Sequence, residues 1–296
     1  MREFRSAVRR VLGLVAAAVL VTAACGADPA IEHEPGSTDN PVYFVHGYAN
    51  SDGEDCRQYW RNAVDEFSDN DGNRPLRTVG FYVNDSHCDV TVGSGRATVR
   101  TTINRLAADL AHHVYQHNTR QGQEVDLVGH SMGGIVSRVA VLGSARGWPG
   151  FPDEPLHVGN VVTLDSPHGG AFCDDAQQKC PNNPQWRETE PGSPLMTVLH
   201  APENRLDQEW ARGTTWTFVG SDQDRTVSGD SGTDEGFYSD SKVRYLRGSE
   251  PTLTHTAVTT ATWGNFTVRV WRAEDDRAEL IRGAPSPLRI AVEAAN

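Results

Sequence analysis

The sequence predicts an α/β fold, with a mostly parallel central sheet and helices on both of its faces. Two observations support this prediction. Short apolar stretches typical of buried strands recur along the chain, at Pro41–His46, Leu76–Asn84, Val158–Leu164 and Thr214–Val219. Segments with helical periodicity separate them, and strands that alternate with helices form parallel sheets. No internal repeat or clean boundary divides this pattern, so we expect one domain over residues 41–296.

The remaining elements follow from the spacing of apolar residues. Helical spacing predicts helices at Gly53–Phe67 and Ala97–Gln116. Val243–Leu246 is predicted as the last strand, and Thr256–Trp263 as the start of a closing helix. Phe266–Trp271 alternates like a strand and stays ambiguous, and the C-terminal tail is left unassigned.

The first 25 residues have the three parts of a secretory signal peptide. Arginines precede the apolar run Val11–Val21, and the small residues Ala23 and Ala24 follow it. Residues 26–40 are polar and contain prolines, which is typical of an exposed leader. We therefore expect a secreted protein. The alternative is a lipid-anchored one, because Cys25 ends a stretch that loosely resembles a bacterial lipobox.

Charge and cysteine content narrow the function further. The net charge is −12, from 27 basic and 39 acidic residues, and no basic cluster stands out beyond the predicted signal peptide, which argues against nucleic acid as a partner. We expect a monomer.

Beyond Cys25 the chain has four cysteines, an even number, which in an exported protein predicts two disulfides. Pairing by proximity gives Cys56–Cys88 and Cys173–Cys180; two other pairings stay open.

The candidate nucleophile is Ser131. It lies at the apex of Gly129-His130-Ser131-Met132-Gly133, between an apolar alternating run and a helical pattern. With 28 glycines in the chain, the glycine spacing alone is weak, and the strand–turn–helix context carries the prediction. A sharp turn exposes the hydroxyl, and the helix that follows points its first N–H groups at the reaction site.

A serine nucleophile needs a base and an orienting carboxylate from loops at the carboxyl ends of the strands. His255 follows the last predicted strand and is the candidate base. Asp224 is the preferred acid, because it lies in the loop after Thr214–Val219. Asp222 in the same loop and Asp165 after the preceding strand are its rivals.

Two backbone N–H groups are predicted to stabilise an oxyanion. One belongs to Met132, directly after the nucleophile. The other belongs to Tyr48, because Gly47 allows the loop after a buried strand to approach a substrate closely. The histidines His112, His113 and His117 suggest a metal site as an alternative. They lie on an ordinary amphipathic helix, which lacks the glutamate found in the zinc-binding helix of a zinc protease.

Five blocks of the sequence resemble the bacterial lipases of the α/β-hydrolase superfamily, often grouped as class 2 lipases. The blocks read PVYFVHGY, VDLVGHSMGG, NVVTLDSPHGG, GSDQDRTV and LTH, and they span most of the chain after residue 40. The resemblance implies Ser131 as nucleophile, Asp224 as acid and His255 as base, with Tyr48 and Met132 as oxyanion donors. An additional residue in the acid loop leaves the choice between Asp224 and Asp222 open.

The function predicted from these residues is hydrolysis of carboxylic esters, with acylglycerol lipids as the expected substrate. A short-chain carboxylesterase, or an acyltransferase or thioesterase on the same scaffold, is the alternative. Residues 171–212 are expected to lie over the site, either as a lid that moves at a lipid surface or as a fixed wall. This segment carries the apolar residues Leu195, Met196, Val198, Leu199 and Trp210. No cofactor is expected, and although some bacterial lipases bind calcium, no ligand set for it is readable.

Overall fold

The computed structural model of the chain describes residues 40–173, 181–275 and 277–296. Within these residues nine strands form one sheet: β1 (Val42–Val45), β2 (Leu76–Gly80), β3 (Val90–Thr91), β4 (Val125–His130), β5 (Val158–Leu164), β6 (Thr215–Ser221), β7 (Ser241–Tyr245), β8 (Phe266–Arg272) and β9 (Glu279–Ala284). The same residues form the α-helices α1 (Cys56–Asn70), α2 (Ile103–His117), α3 (Met132–Ala145), α4 (Pro184–Glu188), α5 (Pro194–Leu199), α6 (Gly229–Gly232) and α7 (Pro287–Ala294).

The strand order in the sheet is β3-β2-β1-β4-β5-β6-β7-β8-β9. All pairs from β3 to β7 are parallel, whereas β8 and β9 are antiparallel to their neighbours. The predicted mostly parallel sheet is therefore confirmed. The prediction that Val243–Leu246 is the last strand is wrong, because two antiparallel strands extend the sheet beyond it.

Helices cover both faces of the sheet, as β1 illustrates. Tyr43 and Val45 belong to a buried apolar cluster with residues of α2 and α3. Val42 and Phe44 point the other way, into a second cluster with residues of α1 and α7. Alternate residues of a strand face opposite sides of a sheet, so this division shows that each face has its own core.

Capping residues explain where two helices begin. The Thr102 side chain accepts from the Arg105 N–H, so α2 begins at Ile103 rather than near Ala97. The predicted closing helix at Thr256–Trp263 is only a short 3₁₀ turn, Ala257–Thr259. The C-terminal helix is α7 instead, and Ser286 caps it.

The predicted Cys56–Cys88 disulfide is present and ties the first residue of α1 to the loop before β3. Cys180 lies outside the described residues, so its pairing with Cys173 stays a prediction. The predicted signal peptide, residues 1–25, and residues 26–39 of the leader also lie outside them. Among the described residues, no helix has the length and apolar character needed to cross a membrane.

Candidate active site

Ser131 occupies a strained turn between β4 and α3. Its φ of 54° and ψ of −131° lie where residues with a side chain are rarely found, and such strain clusters at functional sites. The Ser131 N–H donates to the Leu164 carbonyl at 3.0 Å, which ties the turn to the end of β5. Gly133 is required here, because a Cβ on it would lie 2.0 Å from the Val45 carbonyl oxygen. The backbone of β1 thus packs closely against the first turn of α3, directly after the serine.

His255 lies between the serine and a carboxylate. Its Nε2 is 2.8 Å from Ser131 Oγ, and its Nδ1 is 2.6 Å from Asp224 Oδ2. The Asp224 side chain is completely buried, and its Oδ1 accepts from the Thr226 N–H at 2.7 Å. The structure therefore brings together the three side chains that the sequence proposed, in a hydrogen-bonded row.

The two rival carboxylates have other surroundings. Asp222 pairs with Arg244, whose Nε lies 2.6 Å from Asp222 Oδ1. Asp165 is completely buried, and its Oδ1 accepts from the Ser221 N–H at 2.7 Å. Burial first, and then the neighbouring Asp224, raise the pKa of Asp165 well above its usual range. The raised pKa favours the protonated form of Asp165, whose carboxyl lies near that of Asp224.

The two candidate oxyanion donors lie beside the serine. Met132 is the first residue of α3, so its N–H has no acceptor within the helix and lies at the positive end of the helix dipole. Tyr48 follows Gly47, where a Cβ would lie 2.7 Å from Ser131 Cβ. The absence of a side chain at Gly47 lets this loop pass directly over the nucleophile. Tyr48 and Met132 line one cavity together with Ser131.

That cavity is small, about 20 Å³, which is room for little more than one water molecule. Part of the candidate lid covers it, through Ala171, Gln185, Trp186 and Thr189. The apolar residues expected over the site do not line this cavity. Met196 and Leu199 are buried in the core with α2 and α3, and Val198 is exposed. The second half of residues 171–212 therefore packs its apolar face inward, and the role of the segment as a lid or as a fixed wall stays a prediction.

One group of described side chains has the spacing of a metal site: Asp165, Asp224 and His255. Both ring nitrogens of His255 already have hydrogen-bond partners, and the raised pKa of Asp165 favours its protonated form. This arrangement suits proton transfer better than metal ligation, because a metal needs a deprotonated ligand atom. In the other histidine tract, the His113 and His117 rings contact each other at 4.4 Å between centroids.

Two residues at the site carry no signal that the sequence interpretation used. Trp186 lines the cavity, but it lies in a polar, proline-rich stretch. Tyr59 contacts His130, the residue before the nucleophile. In the sequence, Tyr59 is recognisable only as one residue of a predicted helix. The adjacency of His130 to Ser131 is a signal that could have been used.

The sheet order and the serine turn define an α/β-hydrolase fold. Residues 37–181, just under half of the chain, match the PGAP1-like alpha/beta domain family. A comparison with curated proteins finds no significant sequence match.

Several solved structures are similar to parts of this chain, and one of them agrees with it at the level of the fold. Aspergillus fumigatus lipase B superposes with a TM-score of 0.50 at 13% identity, covering 78% of this chain and 52% of that one, about half its length. The mature Bacillus licheniformis lipase BlEst2 has a TM-score of 0.42 at 19% identity, over 66% of this chain and 70% of its own. An extracellular α/β-hydrolase from a Paenibacillus species has a TM-score of 0.40 at 10% identity, over 75% and 93%.

Proposed function

We propose that the protein is a serine hydrolase that cleaves carboxylic esters, with acylglycerol lipids as its substrates. The row Ser131–His255–Asp224, with separations of 2.8 and 2.6 Å, is the observation that carries this proposal. A serine hydroxyl becomes a nucleophile when an oriented imidazole accepts its proton, and this row supplies that orientation.

The reaction proceeds in two halves. Ser131 Oγ bonds to the ester carbonyl carbon while its proton passes to His255 Nε2, and the Tyr48 and Met132 N–H groups stabilise the oxyanion. The carbon–oxygen bond to the alcohol breaks as His255 returns the proton to the leaving oxygen, which leaves an acyl-enzyme. Water then attacks the acyl carbon with the same base, and the acid is released. Asp224 fixes the ring and stabilises its charged form.

The test is turnover of p-nitrophenyl acetate, butyrate, octanoate and palmitate by wild type and Ser131→Ala. We expect saturable hydrolysis by wild type and a loss of at least about 10⁴-fold in kcat for the variant. Full activity in Ser131→Ala would refute the proposal, and so would an inactive wild type. Product analysis with an added alcohol would reveal acyl transfer.

A short-chain carboxylesterase is the second candidate, and the small cavity beside Ser131 favours it. A cavity of about 20 Å³ accepts an acyl chain only if Trp186 and its neighbours shift, and a short chain demands the smaller shift. Preference for butyrate over emulsified long-chain acylglycerols would select this candidate. The reverse preference would select the lipase.

We also propose that the protein acts outside the cytoplasm. The Cys56–Cys88 disulfide supports this, because such bonds persist mainly in oxidising compartments. Fractionation of the producing cells, with mass determination of the mature N-terminus, distinguishes soluble secretion from a lipid anchor on Cys25. An intact N-terminus in the cytoplasm would contradict both.

A further inference from the structure

Two side chains outside the proposed triad connect the loops on which the chemistry depends. The Gly47 N–H donates to the Tyr59 hydroxyl oxygen at 3.3 Å. The same hydroxyl contacts His130 Nδ1, and His130 Nε2 lies 2.7 Å from the carbonyl oxygen of His255. The path therefore begins at the residue before the oxyanion donor Tyr48 and ends on the backbone of the proposed base.

The direction of each hydrogen bond along this path is fixed. A carbonyl oxygen only accepts, so His130 Nε2 must carry a hydrogen and donate it to His255. Burial first, and then the nearby His255, lower the pKa of His130 well below its usual range, so the ring is neutral. Its Nδ1 is then an acceptor, and Tyr59 must donate to it. The remaining lone pair of the Tyr59 oxygen accepts the Gly47 N–H.

We propose that Tyr59 and His130 are positioning residues, which hold the oxyanion loop and the base loop in one fixed relation around Ser131. This inference rests on the proposed ester hydrolysis. Both residues stand on regular elements: Tyr59 on α1, and His130 at the end of β4. Each loop is thereby fixed to the scaffold by the same pair of side chains.

The base loop requires such support. His255 lies in the long connection between β7 and β8, whose only helical turn is Ala257–Thr259 among the described residues. The connection is also held at Leu253, whose carbonyl accepts from Ser221 Oγ at 2.8 Å. The contact from His130 acts on His255 itself. Its ring lies 4.8 Å from that of His255 between centroids.

The experiment compares Tyr59→Phe with Tyr245→Phe in the full-length protein. Each change removes one hydroxyl, and the Tyr245 hydroxyl donates to the Pro285 carbonyl at 2.7 Å, just before α7. We expect Tyr59→Phe to lower kcat for p-nitrophenyl butyrate by about 10- to 100-fold, because a displacement on the order of 1 Å costs about that much. KM should stay within about twofold, since neither residue lines the substrate cavity. Tyr245→Phe should keep its kcat at a comparable loss of thermal stability.

A second pair of variants tests the other half of the path. In His130→Gln the amide nitrogen reaches the position of Nε2 and can still donate to His255, whereas in His130→Asn it cannot reach. We expect the glutamine variant to keep about tenfold more of kcat than the asparagine variant, on the same scale of displacement. Equal activity of the two would overturn the proposal, even if Tyr59→Phe failed to fold. Equal kcat in Tyr59→Phe and Tyr245→Phe would overturn it as well.

A readout without turnover separates this inference from the proposed function. If wild type hydrolyses no ester, the proposed function fails, and nitrogen NMR of the histidine rings decides on the positioning role. That role requires His130 in the form protonated on Nε2, and His255 ring signals that change in Tyr59→Phe but not in Tyr245→Phe. A His130 ring protonated on Nδ1, or unchanged His255 signals, would refute it.

Discussion

Replacement of single carboxylates by their amides discriminates sharply among the three candidate acids. In Asp224→Asn the Thr226 N–H, which lies 2.7 Å from Oδ1, retains the amide oxygen as its acceptor. The amide nitrogen must then occupy the position of Oδ2, which is 2.6 Å from His255 Nδ1. A donor at that position forces Nδ1 to accept, so the ring hydrogen moves to Nε2.

The consequence for catalysis follows from the serine contact. A His255 ring with its hydrogen on Nε2 faces Ser131 Oγ at 2.8 Å and cannot accept the serine proton. The loss of a base in this way costs about 10⁴-fold in kcat, which is equivalent to roughly 5.5 kcal/mol of transition-state stabilisation. KM should change little, because Asp224 does not line the cavity beside Ser131.

The matched controls are Asp165→Asn and Asp222→Asn. In Asp165→Asn the amide oxygen can still accept from the Ser221 N–H, and the amide nitrogen replaces the protonated oxygen. Asp222→Asn weakens a pair with Arg244 at the partly exposed rim. Both should keep kcat within about tenfold of wild type, because surface pairs contribute little and the neutral acid is replaced by a neutral group.

The assay is steady-state hydrolysis of p-nitrophenyl butyrate by the three purified variants, with the folded fraction checked by circular dichroism. A large loss in Asp165→Asn together with a small loss in Asp224→Asn would refute the reasoning. It would show that the hydrogen-bonded row seen here is not the one used in the reaction.

Three further predictions concern stability and close packing. Asp165→Asn should raise Tm relative to wild type, by an amount that grows as the pH rises above about 4. The reason is that the Asp165 carboxyl ionises in the unfolded chain at that pH, whereas its raised pKa opposes ionisation in the folded protein. A difference in Tm that does not depend on pH would contradict this prediction. Gly47→Ala should lower kcat by about 10²-fold, because the methyl group would lie 2.7 Å from Ser131 Cβ; unchanged kcat would show that the loop yields freely. Cys56→Ser should lower the free energy of unfolding by about 3–4 kcal/mol, because the bond to Cys88 closes a loop over a sequence separation of 32. Reduced wild type is the control. Equal stability of reduced and oxidised wild type would contradict this prediction.

The sequence predicted the central strands well, because their patterns are local. Val158–Leu164 consists mainly of apolar residues, and its predicted bounds are those of β5. The antiparallel extension was harder. In β9 most side chains are exposed, so Glu279–Ala284 lacks the alternation that identifies a half-buried strand. Ser286 followed by Pro287 did signal the start of α7, since a serine cap and a proline in the first turn are typical there.

The positions of the candidate site residues could be predicted because parallel strands end at one edge of a sheet. The loops after β4, β6 and β7 therefore bring Ser131, Asp224 and His255 near each other. The choice of acid could not be predicted in this way, because Asp165 and Asp224 follow neighbouring strands and reach the same edge. Backbone contacts distinguish them, and a contact such as that from the Thr226 N–H to Asp224 has no signature in the sequence.

The three carboxylates at this edge show how surroundings assign different roles to one functional group. Asp222 is balanced by a guanidinium at the rim, and burial beside another acid raises the pKa of Asp165. Asp224 alone combines complete burial, a backbone donor and an imidazole. Since two like charges in one buried site repel, the nearby Asp224 adds to the effect of burial in raising the pKa of Asp165. The same functional group thus has three surroundings at one edge of the sheet, and only that of Asp224 places a carboxylate oxygen on the imidazole of the proposed base.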